Sequence, residues 1–245
     1  MHSESTDTVG DISVLNLCPP APIMGGYTAI DDLMPIVRAT PRVVSKDRAA
    51  PSLTVKAALA AKRTCDVAFG LVFLLLVLPV LVMVAVAILI GDRGPILFRQ
   101  DRVGQNGRIF RMYKFRTFPV DHVDDVQSRP VSDCPSRLGR FLRRTSLDEL
   151  PQLFNVLRGD MSIVGPRPER PHFVDELTNE VADYHRRHRV RGGITGLAQV
   201  NGYWGPTDLV ERVKLDNEYI DSWSLRRDIA IFLRTIPAVL TKVKT

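Results

Sequence analysis

The stretch VAFGLVFLLLVLPVLVMVAVAILI, residues Val67 to Ile90, decides how this chain folds. It holds 24 residues and no charge, and a run of that length and composition is a candidate membrane helix. It begins far from the N-terminus and no small-residue cleavage site follows it, which excludes a signal peptide. The alternative is a buried helix of a soluble core. It is disfavoured because such cores seldom need so many consecutive apolar residues.

Two features argue against a simple membrane crossing. Pro79 lies in the middle of the run, where proline removes one helical hydrogen bond and favours a kink. Each half of the run is about 17 Å long, which is shorter than a hydrocarbon core of about 30 Å. Basic residues, which mark the cytoplasmic side of a membrane, flank the run about equally on both sides. We therefore predict a re-entrant helix that breaks at Pro79 and returns to the same face, with a kinked single span as the alternative.

Outward from the apolar run, the chain divides into three parts. Residues 1–54 carry six prolines and no long hydrophobic period, which predicts a flexible N-terminal tail. Residues 55–91 form an interfacial segment and the membrane helix, and residues 92–245 form a membrane-associated domain. In that domain, Asn106-Gly107 lies between two β-prone runs and predicts a β-hairpin, whereas residues 119–135 are polar and predict a loop. Helical patterns dominate from Ser136 onward and are clearest from Leu209 to Ile220 and from Leu225 to Val243, so the predicted fold class is α+β and mainly helical.

Composition restricts the classes of function. The 245 residues are 45% hydrophobic and 24% charged, which excludes a disordered or collagen-like chain. Lys and Arg number 33 against 27 Asp and Glu, a net charge of +6. This excess favours an anionic partner: nucleic acid, a phosphorylated substrate or an acidic membrane surface. The three cysteines lie far apart without a zinc-binding spacing, which indicates a reducing compartment.

Acidic and basic side chains are concentrated in the segment from Arg137 to Arg170. Asp148 and Glu149 are adjacent there and arginines lie on both sides. Carboxylates can act as nucleophiles, bases or Mg²⁺ ligands, and arginines bind phosphate bidentately. The combination indicates phosphoryl chemistry with a metal. A structural alternative is a capping box, Ser146-x-x-Glu149, although Pro151 fits a helix that begins at Asp148 better.

Other candidate residues have equally plain structural explanations. Lys114 and Arg116 alternate with apolar residues, so a strand would place both on one face, which is either a binding face or only a solvated one. The stiff segment Gly165-Pro-Arg-Pro168 either holds Arg167 against an anion or is a simple connector. The basic segment 185–191 contains two histidines but no zinc pattern. It is therefore interpreted as a solvated or lipid-facing helix. Asp216 lies on a predicted helix, where packing alone would explain it.

Taken together, five blocks of the sequence resemble the bacterial sugar transferases. These are polyprenyl-phosphate hexose-1-phosphate transferases, also called small monotopic phosphoglycosyl transferases. The blocks are KRTCDVAFG with the apolar run, GPILFRQDRVGQNGRIFRMYKFRT, LGRFLRRTSLDELPQLFNVLRGDMSIVGPRPE, VRGGITGLAQVNGY and LDNEYIDSWSLRRDIAIFLRT. The resemblance covers roughly Ala61 to the C-terminus. So many long blocks in one order are specific, whereas the single motifs are not.

The resemblance implies both a reaction and a location. The chain would transfer a hexose 1-phosphate from a UDP-sugar to undecaprenyl phosphate and release UMP, as the first step of exopolysaccharide or other glycoconjugate assembly. Its catalytic domain would lie on the cytoplasmic face of the bacterial inner membrane, with a re-entrant helix in the bilayer. Nucleic acid is not an implied partner, and a homodimer is left open.

The resemblance also implies roles for single residues. Asp148 would attack the sugar-linked phosphorus and form a phosphosugar intermediate. Glu149 would act as a metal ligand or as an acid/base group, and both carboxylates would hold Mg²⁺. The implied substrate-binding residues are Lys114, Arg116, Arg143, Arg167 and Asp216.

The chain departs from the family's pattern at three places. Phe118 follows the KFRT block where Met is usual, SDCPSR replaces an Asp-Pro-Arg-like step, and Leu78 precedes the helix proline. These departures concern local conformation and not the reaction class. The stretch NGYWGPTD is similar to segments of members that use plain hexoses, which points weakly to glucose or galactose.

Two non-catalytic functions remain as alternatives at the level of sequence. One is a membrane-anchored basic module that binds nucleic acid or acidic lipid, which would suit the net charge. The other is a membrane scaffold for polysaccharide assembly. Neither gives a reason for two adjacent carboxylates among arginines or for a rigid Gly-Pro-Arg-Pro segment.

Overall fold

The computed structural model describes residues 53–91, 94–118, 135–203 and 207–244. Within them the elements in chain order are α1 (Leu53–Gly91), β1 (Leu97–Val103), β2 (Ile109–Phe115), α2 (Arg137–Thr145), α3 (Gln152–Arg158), β3 (Met161–Val164), α4 (Pro171–Glu180), β4 (Gly192–Thr195), α5 (Leu197–Val200), α6 (Leu209–Asp221) and α7 (Leu225–Lys244). This part of the chain is mainly helical with two small sheets, as the predicted fold class requires. The predicted tail lies outside the described residues except for positions 53 and 54, which belong to α1. The predicted loop, 119–135, also lies outside them except for its last residue.

Helix α1 packs lengthwise against the rest of the chain. Its contacting residues recur at intervals of three and four, which places them on one stripe of the helix; they are Gly70, Leu74, Val77, Leu81, Val84 and Ile88. The opposite face is apolar and exposed, with Leu76 73% accessible. By length and composition α1 is the one helix of the described residues that could cross a membrane.

The helical structure of α1 continues through Pro79. The interruption predicted at that residue is therefore not seen. A proline inside a helix removes one backbone donor, and here Val77 and Leu81 pack against the domain on either side of it. That packing can offset the lost hydrogen bond. The re-entrant path of the helix stays a prediction.

The predicted hairpin is confirmed. Strands β1 and β2 are antiparallel, with Leu97 opposite Phe115 and Val103 opposite Ile109. The turn contains Asn106 and Gly107, at φ of 59° and 76°, a left-handed conformation that these two residue types tolerate best. The strand ends at Phe115, so Arg116 lies beyond it and not within the strand face predicted for Lys114 and Arg116.

A second, parallel sheet was not predicted. Strands β3 and β4 pair with Met161 opposite Gly192 and Val164 opposite Thr195. The chain leaving β3 lies directly on β4, because a Cβ on Gly193 would lie 2.1 Å from the Gly165 nitrogen. Only glycine permits this backbone contact. The glycines of the β4 segment therefore serve close packing, and the contact fixes where Gly165–Pro168 leaves the sheet.

Polar contacts fix the first turns of α1 on the domain. Arg63 donates to the carbonyls of Val156 and Leu157 at the end of α3, at 2.6 and 2.9 Å. Asp66 accepts from the Ser162 hydroxyl at 2.8 Å and from the Ile163 amide at 3.1 Å. These groups are buried or nearly so, and a buried polar group without a partner is costly. The polar end of α1 thus has one defined position.

Helices α6 and α7 match their predicted spans closely. The Asp208 side chain caps α6 by accepting from the amides of Val210 and Glu211, as expected of an aspartate at this position. Asp228 in the first turn of α7 accepts from Lys62 on α1 at 2.7 Å. It also accepts from the Tyr219 hydroxyl at 2.7 Å. One carboxylate therefore ties the last two helices to the first.

Candidate active site

The two adjacent carboxylates lie in a short turn between two helices. Ser146 ends α2 with a φ of 58°, residues Leu147–Glu149 form a single 3₁₀ turn, and α3 begins after Pro151. The Ser146 side chain makes no cap hydrogen bond to this turn, so the capping box is not formed. A single helix that begins at Asp148 is not formed either. Asp148 is buried, with 8% of its surface accessible.

Glu149 is held by two basic side chains from different elements. Arg167 donates from its two terminal nitrogens to the two carboxylate oxygens, at 2.7 and 3.2 Å. Lys114, near the end of β2, donates to Oε1 at 2.9 Å. The fork geometry is the strong form of the arginine–carboxylate pair. The three residues lie 35 and 18 positions apart in sequence, so the fold alone assembles them.

The charges of this cluster depend on one another. Burial opposes ionisation of Glu149, but Arg167 and Lys114 outweigh it and hold the pKa of the carboxyl well below its usual range. Glu149 in turn raises the pKa of Arg167 against the effect of burial. Burial lowers the pKa of Lys114, and Glu149 opposes that shift. Glu149 is therefore an anion at neutral pH and carries no proton to give to a leaving group.

The cluster lies at a cavity of about 640 Å³, a size typical of small-molecule sites. Its lining includes five of the seven predicted catalytic or substrate-binding residues, namely Lys114, Arg143, Asp148, Glu149 and Arg167. The Arg143 guanidinium also lies over the Phe118 ring at 5.3 Å. Residues predicted from two separate sequence blocks thus meet in one place.

Arg116 and Asp216 do not line this cavity. Arg116 is buried just past the end of β2. Asp216 accepts from Arg187 at 2.8 Å, and both side chains are almost fully buried. Burial raises the pKa of Asp216, and Arg187 opposes that shift. A direct role of Asp216 in substrate binding therefore gains no support from its position.

Arg187 and Arg102 are two functional candidates that the sequence did not reveal. Arg187 donates to the backbone carbonyl of Arg167 at 2.9 Å, and Arg102 donates to that of Pro168 at 3.0 Å. They hold the Gly165–Pro168 segment from behind and so position the Arg167 side chain. From the absence of a zinc pattern, the sequence predicts a solvated or lipid-facing helix around Arg187. In fact Arg187 is 2% exposed.

The two carboxylates suit only a type of magnesium site that a bound substrate completes. No group of three or more His, Cys, Asp or Glu side chains among the described residues is arranged to hold a metal. Mg²⁺ needs no such cage, since it is commonly bound by one or two carboxylates and the oxygens of a substrate phosphate. Asp148 and Glu149 supply two carboxylates to the same cavity, and the remaining oxygens would have to come from a phosphorylated substrate.

The sequence family is decided by comparison with known proteins. The family model described as "Bacterial sugar transferase" matches residues 57–242, which is most of the chain. This protein belongs to the bacterial sugar transferases. The matched region includes all but the first four residues of α1, both sheets and all five cavity residues named above.

Curated relatives are similar to this bacterial sugar transferase over most of its length. It is 45% identical over 186 residues to the UDP-glucose:undecaprenyl-phosphate glucose-1-phosphate transferase of Caulobacter vibrioides, covering 74% of this chain and 70% of that protein. It is 44% identical over 181 residues to the protein of the same name from Escherichia coli K12, covering 71% of this chain. It is 40% identical over 199 residues to the exopolysaccharide production protein PSS of Rhizobium leguminosarum, covering 76% of this chain and 98% of that protein.

The aligned fraction of each relative's own length differs widely among the relatives. The chain spans only 39% of the Escherichia coli protein but nearly all of the Rhizobium protein. The aligned region is therefore the part that long and short members have in common.

Proposed function

We propose that this chain is a phosphoglycosyl transferase that moves a hexose 1-phosphate from a UDP-sugar to undecaprenyl phosphate and releases UMP. The observation that carries the proposal is the meeting of Asp148 and Glu149 with Lys114, Arg143 and Arg167 in one cavity. Carboxylates among fixed cations suit a reaction at phosphorus, in which the protein positions the groups and stabilises charge. Relatives at 44–45% identity carry the name of this reaction.

Asp148 is the proposed nucleophile. Its carboxylate oxygen attacks the phosphorus that bears the sugar, the bond from that phosphorus to the bridging oxygen breaks, and UMP leaves with the electron pair. An oxygen of the lipid phosphate then attacks the same phosphorus. The Asp148–phosphorus bond breaks, the lipid-linked sugar diphosphate forms and the carboxylate is regenerated. Because the transfer runs in two steps through a carboxylate, the UDP-sugar and the lipid phosphate, both anions, need not react with each other directly.

The basic residues have distinct proposed roles. Lys114 and Arg167 are already organised by Glu149, so they are in place before a diphosphate arrives, and such preorganisation is a large part of electrostatic catalysis. Arg143 lies at the same cavity and is assigned to phosphate binding. Because Glu149 is ionised, its proposed role is to orient the cations and to bind metal, in preference to donating a proton.

Magnesium is the proposed cofactor, held by Asp148 and Glu149 together with the donor's phosphates. When bound, it would neutralise the diphosphate and the leaving UMP. Full turnover in excess EDTA would contradict this part of the proposal.

The proposed location is the cytoplasmic face of the bacterial inner membrane. The described fold supports attachment to one face, because α1 contacts the domain from Lys62 to Ile88. At about 1.5 Å per residue these contacts extend over roughly 39 Å, which exceeds a hydrocarbon core of about 30 Å. A helix that crossed the bilayer would draw the polar domain into the lipid with it.

Glucose is the proposed sugar. The support is the name shared by the Caulobacter and Escherichia coli relatives, both of which are called glucose-1-phosphate transferases. The stretch NGYWGPTD points to a plain hexose as well.

The decisive experiment measures UMP release from the purified protein with Mg²⁺, undecaprenyl phosphate and a panel of UDP-sugars. We expect release with UDP-glucose and at least a thousandfold loss in Asp148→Asn, in line with the loss of a covalent nucleophile (roughly 10⁴-fold or more in well-studied enzymes). Without acceptor, labelled sugar phosphate should remain on the wild-type protein and not on the variant.

A matched control is Asp101→Asn, which removes an exposed carboxylate on the hairpin that is not part of the cavity lining. It should turn over like the wild type. Release that persists in Asp148→Asn would remove the nucleophile from the proposal but keep the enzyme. No release with any donor from folded protein would favour a scaffold over a transferase.

A further inference from the structure

The cavity has an apolar part that a nucleotide sugar does not use. Beyond the charged cluster, its walls are formed by α1 and α7, with Phe69 and Phe73 on one side and Phe232, Ile236 and Val239 on the other. Phe69 stacks near Phe73 with ring centroids 5.9 Å apart. Its edge meets Phe232 at 4.6 Å. A uracil ring or a hexose can stack on a phenylalanine, but the aliphatic side chains of Ile236 and Val239 offer their polar groups no hydrogen-bond partner.

This part of the cavity opens where both helices are apolar on the outside. Ile236 and Leu240 line the cavity and are also 54% and 58% exposed, so they form its rim. Ile229 and Leu233 continue the exposed apolar face of α7, and α1 carries the lipid-facing run itself. An alkyl chain could therefore move from the bilayer into the cavity without crossing water.

The two walls are held at a fixed separation. Asp228 at the start of α7 accepts from Lys62 on α1 at 2.7 Å and from Trp223 at 3.1 Å. Farther along α7, the Thr235 hydroxyl lies 2.6 Å from that of Thr195 on β4. A cleft that exists before its ligand arrives loses little entropy on binding.

We propose that the cleft between α1 and α7 is the subsite for the hydrocarbon chain of the acceptor. The isoprene units next to the phosphate lie between Phe69, Phe73 and the apolar side of α7, and the phosphate reaches Arg143 and Asp148. One cavity then joins a cationic end to an apolar end that opens toward lipid, which matches an anionic head on a long apolar tail. This inference rests on the proposed function, because the acceptor is the only substrate there with an apolar chain.

The kinetic test makes the same substitution, alanine to phenylalanine, at two positions of α7. Ala238 lines the cleft, whereas Ala230 is exposed and outside the lining. Filling the cleft in Ala238→Phe should raise the KM for undecaprenyl phosphate about tenfold or more and leave the KM for the UDP-sugar unchanged. Ala230→Phe should leave both constants unchanged. An unchanged KM for the lipid in Ala238→Phe, or an equal rise for both substrates, would overturn the proposal.

A second measurement needs neither a variant nor turnover. Wild-type protein in nanodiscs is irradiated with an isoprenyl phosphate that carries a benzophenone near its phosphate, and the adduct is mapped by mass spectrometry. We expect adducts at the residues that line the cleft, namely Phe69, Phe73, Phe232, Ile236 and Val239, and we expect excess undecaprenyl phosphate to reduce them. Adducts confined to the outer face of α7, at 229 and 233, would overturn the subsite. Adducts in the cleft of a protein that releases no UMP would support the subsite and contradict the proposed reaction. UMP release without adducts in the cleft would support the reaction and contradict the subsite.

Discussion

Arg167 shows why the type of cation matters at this site. Its two terminal nitrogens reach both oxygens of Glu149, and its backbone carbonyl is held by Arg187. A lysine would keep the charge but offer a single point of contact in place of the planar fork. The geometry of this side chain, and not only its charge, is therefore part of the site.

We expect Arg167→Lys to lower kcat/KM by roughly 10- to 100-fold, the equivalent of one lost hydrogen bond to a charged group. The measurement is UMP release at varied donor concentration. Arg111→Lys makes the same exchange at an exposed position, 70% accessible on the hairpin, and should behave like the wild type. Near-normal kinetics of Arg167→Lys would show that a point charge suffices.

The ionised state of Glu149 has a consequence for stability in acid. Against the effect of burial, Arg167 and Lys114 hold the pKa of Glu149 well below its ordinary value of 4.5. The unfolded chain binds a proton at this carboxyl near pH 4.5, whereas the folded protein does not. The stabilisation is therefore complete above that pH and is lost as the pH falls from there toward the folded pKa.

We expect the melting temperature in detergent to fall between about pH 5 and pH 3, more steeply for the wild type than for Glu149→Gln. The glutamine variant will be less stable at pH 7, because it leaves two buried cations without their counter-charge. Glu176→Gln, at an exposed position of α4, should keep the slope of the wild type. Equal slopes for the wild type and Glu149→Gln would contradict the assigned charge.

At the scale of elements, sequence prediction succeeded where local rules decide the structure. Asn106-Gly107 identified the hairpin because left-handed turns depend on residue type, and hydrophobic spacing identified α6 and α7. It failed for β3 and β4, which have four residues each, too few for a period to be recognised. It also failed for Arg187 and Asp216, since nothing local distinguishes a buried ion pair from two solvated charges.

The small parallel sheet makes a direct prediction at Gly193. A methyl group there would lie 2.1 Å from the Gly165 nitrogen and 2.4 Å from the Thr195 oxygen, and backbone atoms cannot move aside easily. We expect Gly193→Ala to destabilise the protein by about 3 kcal/mol or more, measured as the melting temperature and the folded yield. Gly91→Ala is the control, because nothing lies within 4 Å of a methyl group there. A stable Gly193→Ala protein would show that β4 is not packed as described.

At the scale of the whole molecule, α1 serves two purposes at once. One stripe of it belongs to the core, where Leu81, Val84 and Ile88 pack with Phe115 and Leu142. The other face is exposed and apolar, as a lipid-facing surface must be. Phe115 and Leu142 are adjacent in sequence to Lys114 and Arg143, so α1 directly supports the strand and helix that carry the candidate site. The proposed binding to the bilayer and the proposed catalysis would therefore be coupled through shared packing.

This dual role leads to a prediction about topology. Lys62 near one end of α1 and Ile88 near the other both contact the same domain, and that domain cannot lie on two sides of a bilayer. We therefore expect reporters fused to the N-terminus and to the C-terminus to be active on the same, cytoplasmic side. The control is a protein with a single established span in the same vectors, which must report opposite sides. Opposite sides for this chain would mean that α1 leaves the domain to cross the membrane, at the expense of the packing of Leu81, Val84 and Ile88. Burying three such side chains is worth roughly 1.5–3 kcal/mol each in water. A crossing helix would regain only part of that from lipid, and this difference favours the arrangement with both termini on one side.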